Sequence, residues 1–125
     1  MNVVLWIVAG VLAAAFLGAG GMKAAQPKEK LAAEPRMGWT ADFSGSAIKT
    51  IGALEVLGAI GLILPALLDI APILVPIAAT GLAAAMLGAI IVHARRNETA
   101  RIVVPAVLFV LSAFVAWGRF GPYAF

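Results

Sequence analysis

Four apolar runs, each about twenty residues long and set apart by short polar connections, constrain this chain more than any other feature. A helix needs about 20 apolar residues to cross the hydrocarbon core of a bilayer. The runs cover residues 3–22, 47–68, 72–93 and 102–118 of a 125-residue chain, which leaves no room for a folded soluble domain. Composition agrees, with 63% hydrophobic and 12% charged residues and a mean hydropathy of +1.05. A soluble domain carries about 45–50% and about 25% respectively. The expectation is an all-α integral membrane bundle of four transmembrane helices, forming one domain over 1–125. A short interfacial segment joins the first two helices.

The first run ends at Lys23. No basic residue precedes it, it is long for a signal core, and no convincing small-residue cleavage site is present, so it reads as a retained helix. Gly10, Ala14 and Gly18 form a small-residue stripe, as do Gly81, Ala85 and Gly88 in the third run. Such stripes admit a neighbouring helix at close range. Pro76 is expected to bend the third span mildly, while Pro72 and Pro105 suit first-turn positions. The short connection between the second and third spans makes them antiparallel neighbours, and the same holds for the third and fourth.

The segment from Lys23 to Ser46 is the only sizeable polar stretch. Pro27 can open a short helix that Pro35 ends. Trp39 and Phe43 then fall four residues apart beside Thr40 and Asp42, as interfacial anchors with their aromatic face toward the acyl chains. The alternative is a lid over a cavity between helices. Trp117 is the anchor expected at the far interface.

Basic residues set the orientation. Lys23, Lys28, Lys30, Arg36, Lys49, Arg95, Arg96 and Arg101 flank two loops on one side, against Arg119 alone on the other. The positive-inside rule places loops 23–46 and 94–101 in the cytoplasm and both termini outside, in a multi-pass protein of the cell membrane. The net charge of +3 therefore points to orientation and anionic headgroups rather than to nucleic acid. With no cysteine, thiolate nucleophiles and cysteine-ligated clusters are excluded within this chain.

Glu55 is the most informative residue, lying roughly 9 Å deeper than Lys49 along a helix. A charge near the bilayer centre costs about 2.5–3.5 kcal/mol on insertion scales. Protonating an ordinary Glu at pH 7 costs about 3.7 kcal/mol. Neither form suits lipid, so Glu55 should face the bundle interior, with Gly52 and Gly58 letting another backbone approach it. It is either part of a functional pathway or a polar clasp between helices. His93, the sole histidine, sits about 6 Å from Glu55 in depth and near Lys49. A Glu55–His93 contact would suit proton exchange. A bis-histidine haem needs a second histidine, and Glu55 with His93 alone makes a weak metal site, so no metal or cofactor is evident. No nucleotide loop, nucleophile elbow or paired carboxylates occur, which speaks against an enzyme in the isolated chain.

The stretch Lys49-Thr50-Ile51-Gly52-Ala53-Leu54-Glu55-Val56-Leu57-Gly58-Ala59-Ile60-Gly61-Leu62-Ile63-Leu64-Pro65 resembles the second-helix signature of the DoxX-like family of small four-helix membrane proteins. Ala19-Gly20-Gly21-Met22-Lys23, Met86-Leu87-Gly88-Ala89 leading to His93, and Trp117-Gly118-Arg119 match in order and spacing. The resemblance implies Lys23, Lys49, Glu55, His93 and Arg119 as motif residues. The family's basic residue opening the second-helix motif is often Arg, and Lys49 here lacks that bidentate fork.

The family's name comes from a membrane subunit associated with thiosulfate oxidation coupled to quinone, and other relatives are linked to oxidative-stress assemblies. The resemblance thus implies an accessory membrane subunit of a redox or oxidative-stress assembly, with a quinone or lipid-like molecule held between helices beside Glu55 and His93. Two alternatives stand beside it: a small proton-coupled transporter of amphiphilic molecules, and a non-catalytic assembly factor. The expected partners are the lipid bilayer and either a redox enzyme or further copies of the chain.

Overall fold

The computed structural model of the chain describes residues 2–33, 38–40 and 43–124. Pro35, Arg36 and Asp42, which figured in the helix stop, the basic count and the aromatic segment, lie outside them. The helices are α1 (Asn2–Ala25), α2 (Lys28–Ala33), α3 (Gly45–Leu67), α4 (Leu74–Arg95) and α5 (Val103–Phe120). A 3-10 turn over Thr99–Ile102 leads into α5. α1, α3, α4 and α5 are each long and apolar enough to cross a membrane. In lipid every backbone N–H and C=O must find a partner inside the segment, and a helix satisfies that condition.

Local chemistry sets the helix ends. Ser44 caps α3, its Oγ accepting from the Ala47 amide at 3.1 Å. The turn between α3 and α4 holds Asp69 and Ala71 at φ of 52° and 47°, the left-handed region. That geometry delays α4 to Leu74 although Pro72 suits a first-turn position. Pro105 does fall in the first turn of α5.

The four long helices form a closed ring. α1 packs extensively along α3 and α4 along α5, whereas the α3–α4 and α5–α1 seams are thinner. Leu5, Leu12, Phe16, Leu62, Val75, Leu82 and Val115 fill the centre. The outer surface is equally apolar, with Ile7, Leu57, Ile77 and Val107 among its exposed residues.

The two hairpins, α1–α3 and α4–α5, repeat one another. Leu12-Ala13-Ala14-Ala15-Phe16-Leu17-Gly18-Ala19 recurs seventy positions later as Leu82-Ala83-Ala84-Ala85-Met86-Leu87-Gly88-Ala89. The buried residues Leu5, Ala9, Leu12, Ala13, Phe16 and Lys23 recur as Val75, Ala79, Leu82, Ala83, Met86 and His93. On α3 and α5, buried Ile48, Glu55 and Leu62 correspond to buried Pro105, Ser112 and Arg119. Because each hairpin crosses twice, the repeat is parallel rather than inverted.

The expected small-residue stripes need correction. Gly10, Gly18, Gly81 and Gly88 are exposed, and a Cβ at any of them meets nothing within 4 Å. The close approach lies instead where α1 meets α3. A Cβ at Gly20 would stand 2.6 Å from the Gly52 carbonyl oxygen, and one at Gly52 equally close to the Gly20 oxygen. Backbone touches backbone there, and only glycine fits.

Candidate functional site

The Gly20–Gly52 crossing sets the geometry of the polar centre. It brings the last turn of α1 against α3 one turn before Glu55. Lys23, 8% exposed, and Glu55, 2% exposed, are thereby forced together. Lys23 Nζ donates to Glu55 Oε1 at 2.5 Å, a buried salt bridge between the two helices. Glu55 Oε2 is also buried, and it has no hydrogen-bond partner among the described residues.

A cover lies over the lysine. The Trp39 ring sits 5.8 Å from Lys23 Nζ, within cation–π range. Trp39 and Phe43 meet edge to face at 5.6 Å and pack with Met22 on Leu31 and Ile48. Thr40 is fully buried in the same segment. The two half-buried rings thus pack over Lys23 against Leu31 and Ile48, and neither lines the cavity on the other flank of Glu55. Residues 38–40 form a 3-10 turn, and Phe43 lies in a bend outside any helix.

On the other flank of Glu55, a cavity of about 270 Å³ lies between α3 and α4. Ile51, Leu54 and Gly58 line it from α3, and Gly81, Leu82 and Ala85 from α4. Among the described residues, Glu55 supplies the only polar side chain on its wall. Gly58 faces the Leu82 side chain rather than a neighbouring backbone, which corrects the expected backbone approach on that side.

The structure separates the other expected site residues from Glu55. His93 does not pair with it: Nδ1 lies 3.0 Å from Glu98 Oε1, just beyond the end of α4. Arg96 Nε donates to the same oxygen at 3.2 Å, and Arg101 approaches Oε2 at 3.7 Å. The His93 hydrogen bond, aided by the charge of Arg96, holds the Glu98 carboxyl below the usual carboxylate range against an opposing effect of burial. His93 is therefore engaged in fastening the turn. Lys49 is exposed, and its Nζ donates to the Ala24 carbonyl at 3.0 Å, closing the end of α1 instead of joining the buried pair.

Arg119 sits at the opposite end of the bundle, 4% exposed. Its Nη1 donates to Asn2 Oδ1 at 2.6 Å and to the Tyr123 carbonyl at 2.9 Å, and the guanidinium lies over Trp6. This ties both ends of the chain together. Trp117 is exposed and stacks on Phe114 at 6.0 Å. No three His, Cys, Asp or Glu residues gather among the described residues.

Two features of the bundle interior are not evident from residue spacing. The Lys23–Glu55 pairing depends on which faces of α1 and α3 meet, and spacing does not reveal that. Ser112, buried with its Oγ unpartnered among the described residues, carries no motif of its own, but the hairpin repeat aligns it with Glu55. That repeat was the available signal. Among known proteins, the family model described as the DoxX-like family matches residues 7–115. No curated protein and no solved structure matches.

Proposed function

This chain belongs to the DoxX-like family of membrane proteins, and from that premise we propose that it is an accessory membrane subunit of a redox or oxidative-stress assembly. It holds an amphiphilic molecule, a quinone or another lipid-like compound, between α3 and α4 against Glu55. One observation carries the reading: a carboxyl group 2% exposed, paired with Lys23 through one oxygen, belongs to a residue that lines a cavity otherwise apolar among the described residues. Ionisable groups inside membrane bundles mark ligand and proton pathways. A purely structural clasp has no need of a neighbouring cavity. His93 takes no part in holding the molecule and instead fixes the α4–α5 turn through Glu98.

In the proposed orientation the Lys23 end of the bundle faces the cytoplasm, because the basic residues concentrate there. The lid over Lys23 then lies on the side where a soluble redox partner would dock. Mild-detergent purification from the native membrane, followed by mass spectrometry of bound proteins and lipids, tests the assembly. Complementation of a deletion strain by Glu55→Gln, with the variant's thermal stability measured alongside, tests the site. A stable variant without activity supports the reading. A stable variant that complements fully leaves Glu55 as a packing element and overturns it.

A further inference from the structure

One seam of the bundle lacks bulk that its counterpart carries. Gly58, Ala78 and Gly81 line the α3–α4 cavity, and the hairpin repeat places Val115, Val8 and Val11 at the matching positions of the α5–α1 seam. The other aliphatic residues of the wall have counterparts of the same or nearly the same size. One helix framework thus holds three valines on one side and a hollow on the other, so the hollow belongs to the side chains and not to the framework. A seam that needed only to pack would gain from filling it, because a cavity in a packed interior lowers stability.

The cavity opens sideways at mid-membrane depth. Ile51 and Gly58 lie roughly 9 Å and 20 Å along α3 from Gly45, within a hydrocarbon layer about 30 Å thick. Leu54 is 61% exposed at the rim, and Gly81 is exposed with open space where a Cβ would stand. Glu55 is buried and paired with Lys23, so the surface that an entering molecule meets is apolar. A charged group would find no counter-charge there among the described residues, and burying it is strongly disfavoured.

Size and stiffness narrow the class further. An apolar cavity of about 150 Å³ takes up one benzene. Sites that enclose a whole drug-sized ligand run from about 300 Å³ upward. At about 270 Å³ this cavity has room for one ring or two fused rings, not for a sterol, and any tail stays outside. A flexible alkyl chain gains little by entering, since lipid is as apolar as the wall, and it loses torsional freedom on confinement. A rigid ring has no such freedom to lose.

We propose that the cavity takes up, from the lipid phase, the neutral ring end of an amphiphile with one or two rings, and leaves that molecule's alkyl tail in the bilayer. The proposal rests on the site assigned above and adds which end of the ligand enters and how large that end is.

The test is a native mass spectrometric titration of the full chain in mild detergent with decylbenzene, hexadecane and cholesterol. Decylbenzene and hexadecane have equal carbon numbers, so a difference between them reports the ring. Wild type should bind decylbenzene about tenfold more tightly than hexadecane, the difference made by immobilising one flexible group. Cholesterol should bind no more tightly than hexadecane. Ala78→Val with Gly81→Val gives α4 the side chains that α1 carries at Val8 and Val11, and should abolish the preference. Gly81→Val alone, where a Cβ meets nothing within 4 Å, serves should the double variant not fold. Gly88→Val, equally open but off the cavity wall, is the control and should bind as wild type does. Hexadecane or cholesterol binding as tightly as decylbenzene overturns the ring inference while leaving the cavity and the proposed site in place. Decylbenzene binding unchanged in the filled variants overturns the cavity itself, and the proposed site with it.

Discussion

Gly52→Ala sets two physical effects against each other, and the structure decides the sign. Helix propensity alone predicts a gain of up to about 1 kcal/mol, since alanine restricts the unfolded backbone that glycine leaves free. Packing predicts the reverse. The added Cβ would lie 2.6 Å from the Gly20 carbonyl oxygen, 2.7 Å from the Ala24 amide nitrogen and 2.8 Å from the Lys23 Cβ, where real Cβ atoms essentially never come within 3.0 Å. Two of these neighbours are backbone atoms and cannot rotate away, so α1 and α3 must separate. Inserting a methyl group into a packed contact costs typically about 1–3 kcal/mol. Separation here also pulls Lys23 from Glu55, so the upper end of that range applies and outweighs the propensity gain. We expect a net loss of about 2 kcal/mol. Gly10→Ala, where a Cβ meets nothing within 4 Å, is the matched control and should be neutral or slightly stabilising. Reversible unfolding in mild detergent, followed by tryptophan fluorescence, measures both. A Gly52→Ala protein as stable as Gly10→Ala would refute the close crossing of α1 and α3 and the geometry built on it.

Lys23→Met should destabilise the bundle by about 3 kcal/mol in the same unfolding assay, because it leaves a buried carboxylate without its counter-charge; Lys23→Met with Glu55→Leu should recover most of that loss, and an equally unstable double variant would argue against the pair. Glu98 carries a depressed carboxyl value in the folded chain, so its contribution to stability is fully present above the unfolded value near 4.5 and is lost as pH falls through the lower folded value. Glu98→Gln should flatten the acid limb of a stability–pH profile there, and an unchanged limb would show that the His93 contact contributes nothing. Ala71→Gly should stabilise by about 0.5–1 kcal/mol, since Ala71 is held at φ 47° where a Cβ is strained, and a loss of stability in thermal unfolding would refute that account.

Much of the fold follows from the sequence because crossing a bilayer is a local requirement. Twenty apolar residues suffice to place a helix, and no contact with another part of the chain is needed to specify it. The four long helices, the polar connection after Lys23 and the interior position of Glu55 were therefore legible. So was the family, through the stretch from Lys49 to Pro65. What the residues alone could not show is which way each helix faces. In a soluble helix a polar face marks the outside. Here the lipid-facing side carries Ile7, Leu57 and Ile77 and is as apolar as the core of Leu12, Leu62 and Leu82. The small-residue stripe at Gly10 and Gly18 consequently gave no sign that it faced outward, and Gly20 and Gly52 gave none that they touch. Tertiary packing alone decided that Glu55 pairs with Lys23 rather than His93, that Lys49 closes α1, and that Gly58 and Gly81 leave a cavity beside the carboxylate. The reason is physical: helix rotation in a membrane is fixed by steric fit between side chains, which arises only when all four helices are assembled.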